Sequence, residues 1–466
     1  MRAMKNVYFI GIGGIGMSAL ARYFMHEGKK VAGYDLTETD LTRALVSEGA
    51  DIHYNDSVEA IPEAMRADKS TLVVYTPAVP SDHSELVWFR ENGFEVLKRS
   101  EILGHVTQGK YVMAVSGTHG KTSTTTMVAW LNRATTGGGS AFLGGLSKNF
   151  DGNIVIGGGK RMAVEADEFD RSFLRLTPDV AVVTSADADH LDIYGTHEAV
   201  KEAFAQFVSQ IRKGGAVIMR QGAGVTLRNP GIAKYSYSLD GGTDFYAQNL
   251  RLQDNGLFRY NIVCPDRTIK VCLLGVPGRV NVENSIAAVA SVWCACKCRG
   301  EEFLEEKIKE GLKSFSGVKR RFDLHINRPD CVYMDDYAHH PAEINAALKS
   351  VKSAFPGRHI TAVFQPHLFS RTQDFHLEFA QALSNADEVV LLPIYPAREL
   401  PIEGVTSELI ARDVAVPCVR STREELPREI VGRSTDIVIT FGAGNIDACI
   451  APLTEALNEK FPEQNA

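Results

Sequence analysis

The feature that most constrains the fold of this 466-residue chain is a unit that occurs twice: an apolar strand, a glycine turn and a helix. The first copy is KNVYFIGIGG followed by MSALARYFMHEG, and the second is YVMAVSGTHGKT followed by TTTMVAWL. Further strand patterns, among them CVYMDDY and DIVITFGAG, alternate with helical patterns. Such alternation predicts parallel sheets joined by crossover helices, so we expect an α/β protein.

The chain is too long for one hydrophobic core, and its length suggests about three domains. We expect a Rossmann-like N-terminal domain over residues 1–108 and a central P-loop ATPase-type domain over residues 109–320. A second Rossmann-like domain is expected over residues 321–466. The boundaries fall where a new series of strand patterns begins.

The formal net charge is −7, which argues against a nucleic-acid partner, because such proteins usually carry a strong basic bias. No apolar run approaches the roughly 20 residues that span a bilayer, so no membrane insertion is expected. The short apolar stretch before Gly11 does not resemble a signal peptide. We therefore expect a cytoplasmic protein, a monomer or homodimer, whose partners are small molecules.

The first glycine turn has the pattern G-x-G-x-x-G, which fits a diphosphate-binding loop at a helix N-terminus. Its glycines are Gly11, Gly13, Gly14 and Gly16, and Asp35 ends the next strand pattern. An acid at that position binds a ribose in dinucleotide-binding folds. The pattern suits a nicotinamide dinucleotide and a UDP-sugar equally well, and a tight turn without a ligand also remains open.

The second glycine turn, S-G-T-H-G-K-T, matches only part of a P-loop, because Val115 stands where the common motif has its first glycine. The parts that contact phosphate are present at a strand-to-helix turn. Backbone amides can face phosphate oxygens, the lysine can reach the β- and γ-phosphates, and the last hydroxyl can bind Mg²⁺. The predicted ATP-binding residues are Gly117, Thr118, His119, Gly120, Lys121 and Thr122.

Two acidic segments follow, E-A-D-E-F-D from Glu165 and D-A-D-H from Asp187 to His190. Metal-assisted phosphoryl transfer needs oxygen and imidazole ligands, which these segments can supply. A solvated acidic loop beside a structural histidine is the alternative for either segment alone.

Taken in order, these motifs resemble the Mur ligases, ATP-dependent carboxylate–amine ligases, and the resemblance extends from Gly11 to Gly444. It implies that the chain joins L-alanine to the carboxylate of UDP-N-acetylmuramate through an acyl phosphate. The reaction belongs to the synthesis of peptidoglycan precursors. The alternative within the family is a ligase that attaches a recycled murein peptide to the same sugar nucleotide.

The resemblance also implies roles for individual residues. Glu165 and His190 would bind Mg²⁺ together with Thr122, and Glu168 is a reserve candidate. Lys121, Glu165, His190 and Arg321 would form the catalytic set.

Other implied roles concern the nucleotide and the substrates. Asn284 and Tyr337 would contact adenine, Arg321 a phosphate, and Asp336 the ribose of ATP. The residues expected to bind a substrate carboxylate or the amino acid are His339, His367 and Arg371.

Two other classes remain open from the sequence. A nicotinamide-dependent oxidoreductase explains Gly11–Gly16 and Asp35 but gives the P-loop no role. A catalytically silent nucleotide-binding regulator explains the fold, but it does not need Lys121, Glu165 and His190 together.

Overall fold

The computed structural model describes residues 4–189, 191–253, 255–397 and 399–461. It divides into two compact units. The first unit comprises Met1–Gln248, Asn261–Cys272 and Glu283–Ser316, and the second comprises Asn249–Tyr260, Leu273–Val282 and Gly317–Ala466. Each unit contains parallel strands and helices, which confirms the α/β class. The three domain ranges proposed from the sequence stay predictions.

The N-terminal part of the first unit is a five-stranded parallel sheet with the order β3-β2-β1-β4-β5. Its strands β1 to β5 are Asn6–Ile10, Lys30–Tyr34, Asp51–His53, Leu72–Tyr75 and Glu95–Lys98. Its helices α1 to α5 are Ile15–His26, Asp40–Ser47, Glu63–Ala67, Ser84–Glu91 and Arg99–Val106. Strand β1 is buried on both faces: Val7 and Phe9 belong to one core, Tyr8 and Ile10 to another. A continuous apolar run is typical of such a central parallel strand.

The middle sheet has ten strands in the order β15-β14-β13-β12-β11-β10-β6-β9-β7-β8. Strands β6 to β10 are Tyr111–Ser116, Ser140–Ser147, Gly152–Val155, Arg161–Glu165 and Val180–Val183. Strands β11 to β15 are Ala216–Arg220, Ala233–Ser238, Phe245–Leu252, Phe258–Cys264 and Arg267–Leu273. Helices α6 to α10 are Lys121–Thr136, Leu191–Tyr194, His197–Ser209, Arg279–Arg299 and Glu305–Lys313.

The order of the central strands positions the second glycine turn. Strands β10, β6 and β9 are adjacent and parallel, so their carboxyl ends lie at one edge of the sheet. The segments that follow β10, β6 and β9 begin at Thr184, Gly117 and Ala166, respectively. Ligands of open α/β sheets bind at this edge, so the P-loop and both acidic segments are brought to a suitable place.

The second unit contains a six-stranded sheet with the order β16-β17-β21-β18-β19-β20, in which only the pairing of β16 with β17 is antiparallel. Strands β16 to β21 are Asp323–Asn327, Val332–Asp336, Ile360–Phe364, Glu388–Leu391, Cys418–Arg420 and Ile437–Phe441. Helices α11 to α15 are Pro341–Ala354, Phe369–Leu383, Glu408–Ala411, Leu426–Val431 and Ile450–Lys460. Across the part of the chain that the structure describes, no helix is both long and apolar enough to cross a membrane.

A buried acid in the N-terminal sheet gives a stability prediction. The Tyr8 hydroxyl donates to Glu85 Oε2 at 2.7 Å, and His53 Nε2 lies 3.2 Å from Glu85 Oε1. Burial raises the pKa of Glu85 from 4.5 to about 7, so folding favours its protonated form. That contribution to stability is complete below about pH 4.5 and is lost as the pH rises through 7.

We therefore expect Glu85→Gln to stabilise the protein relative to the parent at pH 8, by about 3 kcal/mol more than it does at pH 4.5. Urea unfolding followed through Trp88, which lies on the same helix as Glu85, measures this difference. Parallel pH profiles for parent and variant would contradict the prediction.

Candidate active site

The first glycine turn links β1 to α1, and the carboxylate of Asp35, which follows β2, holds its backbone. Gly11 has a φ of +87°, and its N–H donates to the carbonyl of Tyr34 at 2.8 Å. The Asp35 carboxylate accepts the N–H of Gly13 at 2.7 Å, and Gly14 stands at the N-cap position of α1. Asp35 therefore orders the turn. A contact from its carboxylate to a ribose stays a prediction.

The second glycine turn, residues 117–120, has no room for larger residues at its two glycines. Gly117 has a φ of +138°, and a Cβ there would lie 1.9 Å from the Thr184 hydroxyl oxygen. Gly120 has a φ of +78°, and a Cβ there would lie 2.9 Å from Asn284 Oδ1. Glycine is needed at both positions because the backbone is left-handed and its neighbours are close.

The carboxyl end of β10 holds this turn in place. Ser185 Oγ accepts the N–H of His119 at 2.9 Å and lies 2.7 Å from the Thr118 hydroxyl. The Thr184 hydroxyl donates to the carbonyl of His119 at 2.5 Å. The sequence prediction missed these two residues, although polar residues directly after the apolar strand DVAVV were the available signal.

Lys121 is the first residue of α6, and its ammonium group is buried in the turn. Nζ donates to the carbonyl of Gly117 at 2.6 Å and to the Glu168 carboxylate at 2.8 Å. Burial opposes the charge on Lys121, but the carboxylates of Glu168, Asp167 and Glu165 outweigh it and raise the pKa above its ordinary value. Burial also raises the pKa of Glu168, while the Lys121 charge counteracts this. The ammonium group of Lys121 is therefore charged and fixed beside the turn.

Glu165 ends β9 on the neighbouring strand. Its carboxylate occupies the space over Gly144, where a Cβ would lie 2.1 Å from Oε1. Glu168, the reserve candidate, is the acid that pairs directly with Lys121, while Glu165 acts on Lys121 through its charge. His190, predicted as the other metal ligand, lies outside the described residues.

The donors in this region fit a magnesium ion bound with a nucleotide. Thr122 supplies a hydroxyl in the first turn of α6, and Glu165 supplies a carboxylate at the adjacent strand end. Mg²⁺ is commonly held by one or two such oxygens together with phosphate oxygens and water. Within the described ranges, no three His, Cys, Asp or Glu side chains form a metal-binding group.

The second unit brings several predicted residues to the end of β17. Asp336 accepts the N–H of Phe322 at 2.7 Å and the N–H of Ala338 at 2.8 Å. Burial raises the pKa of Asp336 to about 6, against the charge of Arg321. The Arg321 guanidinium lies 5.1 Å from the centre of the Tyr337 ring, a cation–π distance.

The two arginines of K-R-R-F have different surroundings. Arg320 has a φ of +61°, donates to Asp335 at 3.0 Å and also bonds the carbonyl of Gly442. It therefore connects the loop after β21 to the segment that leads into β16. Arg321 makes no such bond to Asp335, which leaves it as the better candidate for a phosphate.

The predicted substrate group of the second unit is also assembled. The rings of His339 and His367 are 6.2 Å apart, and His367 stacks on Tyr395 at 5.7 Å. Burial lowers the pKa of His339. The Glu343 carboxylate opposes this shift, and the charges of Arg371 and Arg321 add to it. Arg371 Nη1 is buried, and in the described part of the chain it has no hydrogen-bond partner. The Arg371 guanidinium could donate a hydrogen bond to an anionic group at this place.

Comparison with known proteins agrees with this geometry. Three family models match in order: the Mur ligase family catalytic domain at residues 6–111, the Mur ligase middle domain at 115–292, and the Mur ligase glutamate ligase domain at 320–444. The UDP-N-acetylmuramate–L-alanine ligase of Parabacteroides distasonis is 48% identical over 97% of both chains. The enzyme of that name from Phocaeicola vulgatus is 47% identical over 99% of this chain and 100% of its own.

Two solved structures are also similar. The UDP-N-acetylmuramate–alanine ligase of Thermotoga maritima is 26% identical with a TM-score of 0.81, covering 97% of this chain and 99% of its own. A murein peptide ligase from Psychrobacter arcticus has a TM-score of 0.69 over 97% and 98% of the two chains, and its 21% identity shows the fold alone.

A nucleotide-phosphate-binding protein typically has a glycine turn like residues 117–120, a buried lysine beside it and parallel strands that end at it. The three matching models and the full-length relatives narrow this class. The chain belongs to the Mur ligase family.

Proposed function

We propose that this protein joins L-alanine to the carboxylate of UDP-N-acetylmuramate, using ATP. The observation that carries the proposal is the 48% identity to a ligase of that name over 97% of both chains. The three matching family models together cover every predicted site residue from Gly11 to Arg371. The structure supports it because the phosphate-binding turn and its lysine are assembled as an ATP-dependent ligase requires.

The chemistry follows from the residues at the sheet edge of the first unit. The sugar carboxylate attacks the γ-phosphate of ATP and displaces ADP, which gives an acyl phosphate. The amine of alanine then attacks the acyl carbon, loses a proton and displaces inorganic phosphate, which leaves an amide. Lys121 neutralises charge that develops on the transferred phosphoryl group, as do Mg²⁺ ions in this reaction class. Amides of the turn from Gly117 to Gly120 hold phosphate oxygens, and Thr122, Glu165 and His190 would hold the metal.

The remaining roles are assigned residue by residue. Asn284 and Tyr337 contact adenine, and Asp336 binds the ribose of ATP. Arg321 contacts a phosphate. The group of His339, His367 and Arg371 binds the carboxylate of the incoming amino acid, and Gly11–Gly16 with Asp35 binds the UDP-sugar. These assignments are supported by the charges and burial described above and by the family's motif pattern.

The glycine opposite Glu165 offers a specific test of the metal site. In Gly144→Ala the new methyl group would occupy the position of the Glu165 carboxylate, at 2.1–2.2 Å from its atoms. Glu165 must then move, because it is the flexible partner. We expect the Mg²⁺ concentration for half-maximal activity to rise by about 10-fold or more.

Gly138→Ala is the matched control, since a Cβ there meets its nearest atom only at 3.7 Å. Its Mg²⁺ requirement should equal that of the parent. An unchanged requirement in Gly144→Ala would remove Glu165 from the metal site.

Phosphate release from ATP with Mg²⁺ tests the function itself. Release that requires both UDP-N-acetylmuramate and L-alanine is the expected result. Release with a muramyl tripeptide in place of alanine would identify the recycling ligase instead. If neither alanine nor the tripeptide supports phosphate release, a catalytically silent nucleotide-binding protein would be favoured and the proposal would be overturned.

A further inference from the structure

A cavity of about 170 Å³ inside the first unit lies between the start of α1 and the acids at the end of β9. One face of α1, including Gly16, forms one wall, and Glu165 and Asp167 form part of another. Arg99, the first residue of α5, also lines the cavity. The sequence prediction did not single out this arginine.

Arg99 lies against Gly16, the last glycine of the first motif. A Cβ at Gly16 would lie 2.7 Å from Arg99 Nη1 and 2.9 Å from Arg99 Cδ. Glycine at position 16 therefore makes room for the arginine side chain. Gly16 and Arg99 are far apart in the sequence, which explains why the motif alone did not reveal their proximity.

The guanidinium of Arg99 is only loosely paired. Its Nη2 lies 3.6 Å from Asp167 Oδ2, beyond ordinary hydrogen-bond distance, and the side chain is 22% exposed. In the residues that the structure describes, Arg99 makes no side-chain hydrogen bond. An incoming anion can therefore replace Asp167 without breaking a strong contact.

We propose that Arg99 binds the lactyl carboxylate of the UDP-sugar, the group that reacts; this inference rests on the proposed function. A reacting carboxylate must lie between the turn proposed to hold the diphosphate and the proposed metal ligand Glu165, and Gly16 and Glu165 both line the cavity. Glu165 and Asp167 would repel a carboxylate there unless a cation balanced them. An arginine fork matches a carboxylate in geometry, and the charge-assisted bonds are strong.

The diphosphate is the other anion that Arg99 could meet, and a comparison of ligands separates the two. UDP-N-acetylglucosamine and UDP carry the diphosphate but lack the lactyl carboxylate. Calorimetric titration of UDP-N-acetylmuramate, UDP-N-acetylglucosamine and UDP would be made with the parent, Arg99→Gln and Arg99→Lys. The KM for UDP-N-acetylmuramate gives an independent reading of the same contact.

We expect Arg99→Gln to weaken the binding of UDP-N-acetylmuramate by about 10- to 100-fold and to raise the KM for this substrate by a similar factor. The affinities for UDP and for UDP-N-acetylglucosamine should change by less than about 2-fold. Arg99→Lys should recover part of the loss, because it keeps the charge but not the fork.

Lys98→Gln is the matched control. It removes an ion pair to the same acidic segment, Lys98 to Asp170 at 2.8 Å, but Lys98 does not line the cavity. It should bind all three ligands as the parent does.

Two results would overturn the inference: equal weakening of all three ligands, or unchanged binding of UDP-N-acetylmuramate by Arg99→Gln. If the parent itself fails to bind UDP-N-acetylmuramate, the proposed function has failed, and this outcome is distinct from either. Urea unfolding of each variant shows whether a loss of binding reflects a loss of folding.

Discussion

Replacing Lys121 with alanine is expected to reduce ATP turnover by at least about 10³-fold while UDP-N-acetylmuramate still binds. The ammonium group lies 2.6 Å from the carbonyl of Gly117, inside the turn that would hold the phosphates. Its charge is maintained by the surrounding carboxylates, which raise its pKa. No other described side chain in the turn from Gly117 to Thr122 carries a permanent positive charge, so nothing replaces it.

The same substitution also leaves a buried acid without its cation. Glu168 is 1% exposed, and breaking such a pair by removing one partner typically costs about 3–5 kcal/mol. Part of that cost is avoided if Glu168 takes up a proton, which its raised pKa favours. The double variant Lys121→Met with Glu168→Gln removes both charges together and should be more stable than Lys121→Ala.

Phosphate release and calorimetric binding of UDP-N-acetylmuramate measure the two halves of this prediction, and urea unfolding controls for folding. Lys213→Ala, at an exposed lysine of the same unit, should turn over ATP as the parent does. If Lys121→Ala or the folded double variant retained ATP turnover, the P-loop assignment would be wrong.

The fold class was predictable because its signals are local. Each strand–glycine–helix unit is contained in about 25 residues, and both copies form as β1 with α1 and β6 with α6. The predicted positions of Gly117, Gly120 and Lys121 also depend only on this local geometry, since the residues after a strand enter the turn before the helix. Full-length relatives confirm the family that these motifs indicated.

Contacts across the chain were beyond sequence reasoning. The segment E-A-D-E-F-D contains four acids. Which of them contacts Lys121 depends on a backbone that is neither a regular helix nor a regular strand. Asp170 and Arg171 have φ values of +52° and +55°, so no helical or strand spacing orders this segment. The result is that Glu168, rather than Glu165, makes the direct contact with Lys121.

The pair of arginines at the start of the last domain shows the same limit. Arg320 and Arg321 are adjacent and chemically identical, and only the path of the chain distinguishes them. The left-handed φ of Arg320, +61°, accompanies its contact with Asp335, while the charge of Arg321 acts on Asp336. Both guanidinium groups lie 5.1 Å from the centre of the Tyr337 ring. The family pattern pointed to Arg321, and its role at a phosphate stays a prediction.

The second large effect is expected from Gly117→Ala, which adds one methyl group to the phosphate-binding turn. We expect ATP-dependent activity to fall by at least about 10²-fold, because displaced turn amides no longer align with phosphate oxygens. The methyl carbon would lie 1.9 Å from the Thr184 hydroxyl, 2.8 Å from the Ser185 nitrogen and 3.0 Å from the Thr184 nitrogen. Two of these neighbours are backbone atoms at the end of β10, so removing the hydroxyl in a Gly117→Ala, Thr184→Ala double variant should not restore activity.

Strain and crowding can be separated with a second glycine of the same domain. Gly137 at the end of α6 also has a positive φ, +69°, but a Cβ there meets nothing within 4 Å. Gly137→Ala should therefore lower the free energy of unfolding by only about 1–3 kcal/mol and leave the KM for ATP unchanged. Gly117→Ala should show a comparable or larger loss of stability together with the loss of activity, measured by phosphate release on protein shown to be folded. Near-parental activity in Gly117→Ala would mean that the amides of this turn do not hold the phosphates, and the ATP site would have to lie elsewhere.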